Sequence, residues 1–288
     1  MGIELKGSDV VRSITKELTL QVLDLKSKGI TPTLAIIRVG DKDDDIYYQQ
    51  SAVKRCNAIG INTEEYVYGE SITEEELVHE IINLNLDEVI NGVLILRPFP
   101  KHIRDYIICE TLSPTKDIDG ITDSSLASVI KNTRDGFAPC TASACIEILK
   151  HYKINLIGQN VVVIGRSLVV GKPLALMLIS EHATVTVCHT RTEHLSMITS
   201  KADILIAAAG RAKMVTPEYV KDNAVVIDVG ISRDENGKVV GDVDTQKVAG
   251  KVSYITPVPG GVGTVTTAVL AKHVIEAAVK QSLGESSK

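Results

Sequence analysis

Tryptophan is absent from this chain and phenylalanine occurs twice, so aromatic residues make up 3% of its 288 positions. Against that background the adjacent pair Tyr47-Tyr48 stands out. The five cysteines (Cys56, Cys109, Cys140, Cys145, Cys188) are odd in number and scattered, with no CxxC pair and no Cys/His ligand spacing. That argues against a zinc site, so no metal is expected. It points instead to buried, reduced thiols in a cytoplasmic protein. An excess of basic charge is also missing. The net charge of −5 argues against a nucleic-acid or anionic-membrane partner. Met1 to Val10 lacks the apolar centre of a signal peptide, and no apolar run is expected to span a membrane. No repeat or low-complexity stretch is present, and only Ser282 to Lys288 reads as a frayed tail.

What is present is an ordinary globular composition, 44% apolar and 23% charged, at a length that suggests two domains. Apolar β-branched runs alternate with amphipathic stretches, the signature of βαβ units and a largely parallel α/β sheet. In the first half the pattern predicts helices over 8–28, 46–59 and 73–84, the last opened by a Thr73/Glu76 capping box. Strands are predicted over 33–39, 63–68 and 92–96. A helix over 141–152 marks a domain crossing. The second half then restarts with strands at 160–164, 184–188, 204–208 and 225–229 and a helix at 171–180, a Rossmann-like order.

Three motifs carry chemistry. Pro257-Val258-Pro259-Gly260-Gly261-Val262-Gly263 joins a strand-like run (Val252 to Ile255) to a helix-like run from Val265. Prolines fix φ and glycines free it, so the segment is a shaped loop of bare backbone at an element junction, where α/β proteins place ligands. Gly165-Arg166-Ser167-Leu168-Val169-Val170-Gly171-Lys172-Pro173 follows the first strand of the second half and opens a helix, directing N–H groups at a phosphate. It departs from the GxGxxG pattern, and a plain strand-to-helix turn explains it equally well. The next strand ends in His189-Thr190-Arg191-Thr192 rather than an acidic ribose reader. With Arg166 these residues suit a 2′-phosphate, so NADP is favoured over NAD. The third motif, Lys116-Asp117-Ile118-Asp119-Gly120, sets two carboxylates on one side of an extended segment, able to grip an amidine-like ring edge. Unaided, an Asx turn is the simpler reading.

Taken together with Pro139-Cys140-Thr141 and the run Val226 to Ile231, these motifs resemble the methylenetetrahydrofolate dehydrogenase/cyclohydrolase (FolD) family over nearly the whole chain. The resemblance implies an α/β fold of two domains: a folate-side domain over 1–140, joined by a returning C-terminal helix over about 265–288, and a Rossmann-like NADP domain over 141–264. It implies a catalytic cleft between them, a homodimer, and a tetrahydrofolate substrate. By the same resemblance Tyr48 packs on the pterin and Asp119 holds its ring. Pro257, Gly260 and Gly261 line the folate and nicotinamide side. Gly165, Arg166, Ser167, Thr190 and Ile231 contact NADP, with Arg191 added from the residue chemistry above.

The departures bear on mechanism. Where the family has Lys, four residues after the tyrosine, this chain has Ala52. Lys54 lies about 240° around a helix from Tyr48 and faces elsewhere. Where the family has Gln, the chain has Leu96 ahead of Arg97-Pro98-Phe99-Pro100. Asp45 replaces a serine, Thr264 a proline, and Ala142-Ser143-Ala144 a Pro-x-Gly. Hydride transfer from 5,10-methylenetetrahydrofolate is driven by the substrate's own nitrogen lone pairs and asks the protein mainly for alignment. Hydrolysis of the methenyl product needs a proton carrier. The expectation is therefore an NADP-dependent dehydrogenase with weak or absent cyclohydrolase activity. The alternatives are a bifunctional enzyme in which Lys54, Arg97 or Asp45 substitutes, a non-catalytic folate or dinucleotide binder, and another Rossmann dehydrogenase such as one acting on shikimate.

Overall fold

A computed structural model describes residues 2–133 and 135–285, so the end of the expected tail, 286–288, lies outside the described residues. In chain order the elements are β1 (Ile3–Glu4), α1 (Gly7–Ser27), β2 (Thr33–Val39), α2 (Asp43–Ile59), β3 (Asn62–Tyr68), α3 (Glu74–Leu86), β4 (Gly92–Ile95), α4 (Asp105–Thr111), α5 (Asp123–Lys131) and α6 (Cys140–His151). They continue with β5 (Asn160–Ile164), α7 (Gly171–Ser180), β6 (Thr184–Cys188), α8 (Leu195–Thr199), β7 (Ile204–Ala207), β8 (Val225–Asp228), β9 (Ser232–Arg233), β10 (Val239–Val240), α9 (Thr245–Val248), β11 (Tyr254–Ile255) and α10 (Val262–Glu285).

The chain divides into two compact units, Ser13–Cys140 with Thr267–Lys288, and Met1–Arg12 with Thr141–Thr266. One boundary between these units falls at 140/141, and the first twelve residues group with the second unit. They do so because β1 pairs in parallel with β11 at the end of that unit's sheet.

In the first of these units three parallel strands run in the order β3-β2-β4. Every residue of β2 is buried, as expected of a parallel strand covered on both faces. One face of β2 (Ala35, Ile37, Val39) packs on Leu77, Ile81 and Leu84 of α3, on Ile108 of α4 and on Leu112 just after it. The capping box at α3 is present in full. Thr73 Oγ1 accepts from the Glu76 N–H at 3.2 Å, and the Glu76 carboxylate accepts from the Thr73 N–H at 2.8 Å. Helix α2 begins three residues earlier than predicted. Asp43, Asp44 and Asp45 fill its first turn, where a helix favours negative charge.

The other unit is a six-stranded, all-parallel sheet in the order β1-β11-β8-β7-β5-β6. Its direction of growth reverses between β5 and β7, the position at which open α/β sheets leave a crevice at the strands' carboxyl ends. The short antiparallel pair β9-β10 was not predicted.

Two expectations are corrected here. Helix α10 starts at Val262, inside the glycine run, rather than at Val265. Its stretch Val262–Leu283 is also long and apolar enough to cross a membrane, with mean hydropathy 1.3, yet 72% of it is buried in the protein. An all-round apolar helix is the form a core helix takes. All five cysteines are free and buried. Burial pushes the Cys56 and Cys145 thiols up to about 12 and Cys109 to about 11, and raises Cys140 and Cys188.

Thr73→Ala removes the cap of α3. Urea denaturation should show a loss of about 1 kcal/mol without loss of the fold.

Candidate functional site

Tyr47 and Tyr48 part company in the structure. Tyr47 is 74% exposed, whereas Tyr48 is half-buried. The start of α2 is pinned by the neighbour of Tyr48. Buried Gln49 accepts from Arg38 Nε at 2.7 Å and donates to Glu65, while Arg38 also donates to the Gly40 carbonyl and to Asp41. This network, invisible as a pattern in the sequence, fixes how Tyr48 is presented. Burial pushes the Tyr48 phenol well above its usual range, helped by the nearby Asp119 charge and by Cys140. The hydroxyl therefore stays protonated and can donate.

The two acids of the Lys116 to Gly120 box do not share a side, because the segment is a turn rather than an extended strand. Asp117 is fully buried and accepts from the Ile121 and Thr122 N–H groups at 2.9 and 2.8 Å, holding the entry to α5. Lys116 is buried too. Its ammonium donates to the Leu84 carbonyl at 2.7 Å and to the Asp87 carbonyl at 2.5 Å, capping the end of α3. Only Asp119 is left half-exposed. Gly120, at φ +66, lets the chain pass against Phe137 and Pro139, where any side chain would collide, and so brings Asp119 to Cys140. The Cys140 side chain and N–H face the Asp119 carboxylate. Burial raises its carboxyl to about 6. The Cys140 side chain opposes that shift, Asp117 adds to it, and Arg97 opposes it. The thiol of Cys140 also lies 3.3 Å from the Ile118 carbonyl, which accepts from His273 Nδ1 at 2.8 Å. Cys140 stood in a sequence motif without a role; here it lies between Asp119 and the buried Ile118–His273 pair.

Two of the altered positions are dry. Ala52 is fully buried and Leu96 is 7% exposed. Of the proposed substitutes, Lys54 is exposed, and Arg97 is engaged by Asp105 at 2.8 Å and Cys109 at 3.5 Å. Asp45 is half-buried, its carboxyl raised by burial. A residue that the sequence reading missed is Arg55, whose Nε lies 3.5 Å from Thr267 Oγ1. It is half-buried, with its basicity lowered by that burial, and it makes no ion pair with a carboxylate among the described residues. Its spacing, seven after Tyr48 and three after Ala52, places it on their helix face and could have drawn attention to it.

The other predicted residues lie in the second unit. Gly165 (φ +137) and Gly171 are both closed to larger residues: a side chain on Gly165 would strike the Ala208 carbonyl, and one on Gly171 the Gly165 carbonyl. The loop is thus bare backbone folded tightly before α7. Ser167 Oγ accepts from the Val170 N–H at 3.1 Å. Arg166, Thr190 and Arg191 are exposed, and neither guanidinium is in a salt bridge among the described residues. Thr192 instead closes its own turn, accepting from the His189 N–H at 2.8 Å. Ile231 is 68% exposed, beside Gly263. In the Pro257 to Gly263 loop, Gly260 adopts φ +103 and its carbonyl accepts from the Gly7 N–H at 2.8 Å. Gly261 is buried where a side chain would strike the Pro257 carbonyl. Thr264 donates its N–H to the Gly261 carbonyl at 3.1 Å, a bond that proline could not make. No group of three or more metal-ligating side chains occurs among the described residues. Bare glycine backbone at the carboxyl end of β5, with two guanidinium groups in no salt bridge among the described residues beyond it, fits a phosphorylated dinucleotide.

Asp119 has a raised carboxyl, so its contribution to stability is full below about pH 4 and is lost as pH rises through about 6. The melting temperature of Asp119→Asn relative to the parent should therefore climb between pH 4.5 and 7.5. A constant difference would contradict the burial described.

Residues 5–119 match the model of the tetrahydrofolate dehydrogenase/cyclohydrolase catalytic domain, and residues 139–282 match that family's NAD(P)-binding domain. The chain is 50% identical over 281 residues to the bifunctional protein FolD of Clostridioides difficile, covering 98% of each. Its fold is similar to that of the bifunctional FolD enzyme of Campylobacter jejuni (TM-score 0.95, 41% identity, 97% and 99% of the two chains). It is also similar to the Trypanosoma brucei dehydrogenase-cyclohydrolase crystallised with NADP cofactor and an inhibitor (TM-score 0.91, 34% identity, 98% of both chains). The chain belongs to the tetrahydrofolate dehydrogenase/cyclohydrolase family.

Proposed function

We propose that this protein oxidises 5,10-methylenetetrahydrofolate to 5,10-methenyltetrahydrofolate with NADP⁺, and that it hydrolyses the methenyl product weakly or not at all. The observation that carries the second half is the pair of buried apolar side chains, Ala52 and Leu96, where the family resemblance calls for an ammonium and an amide. Tyr48 packs on the pterin and donates from its neutral hydroxyl. Asp119, in its ionised form, accepts from the amino edge of the ring. Pro257, Gly260 and Gly261 present backbone without side chains that would keep the reactants apart. Gly165 and Ser167 offer the dinucleotide a close backbone approach, Arg166, Thr190 and Arg191 hold its 2′-phosphate, and Ile231 lies against it. NADP⁺, when bound, supplies the hydride acceptor. The protein's contribution to this step is alignment, which needs no strong acid or base. Losing a proton-transfer partner from the hydrolytic step lowers its rate by ~10²–10⁴-fold. The family resemblance also supports a homodimer in the cytoplasm, with neither nucleic acid nor membrane as partner.

A second reading is a bifunctional enzyme with a substituted cation. It is favoured by the bifunctional names of the relatives and by Arg55, a half-buried cation on the same helix face as Tyr48 and Ala52.

Purified protein given methenyltetrahydrofolate should hydrolyse it near the buffer rate, and Ala52→Lys with Leu96→Gln should raise that rate. Hydrolysis well above buffer that disappears in Arg55→Ala would establish the second reading instead. Arg191→Ala should raise the KM for NADP⁺ roughly tenfold or more, with little change for NAD⁺.

A further inference from the structure

Two buried carboxylates at the carboxyl end of the six-stranded sheet have no part in the functional reading above. Asp242 is fully buried and accepts three successive N–H groups from the loop after β7: Ala209 at 2.6 Å, Gly210 at 3.0 Å and Arg211 at 2.7 Å. Asp228, the last residue of β8 and 1% exposed, accepts from Gly230 at 3.0 Å, Asp242 at 2.9 Å and Val243 at 2.9 Å. Six backbone donors therefore converge on two acids, and neither acid forms a salt bridge to lysine or arginine among the described residues. The neighbouring backbone is moulded to them. A side chain on Gly230 would strike the Asp242 carboxylate, and one on Gly241 the Asp228 carboxylate.

The location gives this arrangement its meaning. The sheet reverses between β5 and β7, so the dinucleotide crevice opens between the loops that follow those strands. The loop after β5 carries Gly165, which lies against the Ala208 carbonyl of the loop after β7. The loop after β8 carries Gly230 and Ile231. Residues that suit the 2′-phosphate end β6, on one side of β5. The nicotinamide half of a dinucleotide laid across the crevice therefore falls on the side of β7 and β8. Three N–H groups in succession form a nest that binds an anion. Here the protein fills that nest with its own carboxylate, so the loop's shape is set before any ligand arrives.

We propose that Asp242, supported by Asp228, is a positioning residue for the nicotinamide half of the dinucleotide site. It acts by holding residues 208–211 and 229–231 in one fixed arrangement. The inference rests on the NADP reading above.

The test is a pair of binding titrations on the full chain, with NADP⁺ and with adenosine 2′,5′-bisphosphate, which reports the adenine half alone. Asp242→Asn replaces one acceptor oxygen with a donor facing N–H groups. It should weaken NADP⁺ about tenfold or more, since a displacement near 1 Å can be worth ~10²-fold. Binding of the bisphosphate and the KM for the folate should stay within about twofold of the parent. Gly210→Ala, at φ +64 with open space around the added methyl, perturbs the same loop without touching the buried acids and should show a smaller split of the same sign. It decides the matter if Asp242→Asn does not fold. NADP⁺ binding at parental strength in the folded variant, or equal loss of both ligands, overturns the positioning role. A parent that binds neither ligand overturns the NADP reading itself.

Discussion

Carboxylates turned inward onto backbone N–H groups are the constraint on which both units depend. A parallel sheet delivers its strands to one edge and leaves the loops there with donors that no ladder satisfies. Asp117 satisfies two of them ahead of α5, Asp228 three, and Asp242 three more. Removing a carboxylate from water is unfavourable, and burial raises Asp228 to about 6. The charge-assisted bonds offset that penalty and leave the loops with little freedom. Asp119 is the counterpart that is only half enclosed. It faces Cys140 on one side while part of its surface stays open to a ligand.

Much of the architecture was legible because long apolar runs have one sensible reading. The strands at 160–164 and 184–188 and the helix at 171–180 fall where the pattern put them. What escaped was short or set by pairing. Helices α4 and α5 are too brief to establish a period, and β1 is a strand only because β11 lies beside it. Helix α10 began early because Val262 and Gly263 can enter a first turn, where the N–H groups need no partner within the helix. The extended reading of 116–120 failed because alternation means something only in a strand, and this segment turns.

The site was legible where chemistry depends on residue type at a fixed spacing. The family resemblance singled out Tyr48 rather than Tyr47, and burial separates them the same way. Arg55 and Asp242 were not found. Their importance comes from what surrounds them, a hydroxyl from a distant helix in one case and three amides from a distant loop in the other. Likewise, Ala52 and Leu96 could be recognised as replacements in the sequence, but only the structure shows that their surroundings are closed to water.

The five enclosed thiols carry a consequence of a different kind. Each is shielded and held in its neutral form, so an alkylating reagent meets no reactive sulfur in the native molecule. Two of them, Cys145 and Cys188, lie in the six-stranded unit and three in the other. Mass-resolved labelling can thus follow the opening of each half of the protein separately, with no engineered probe.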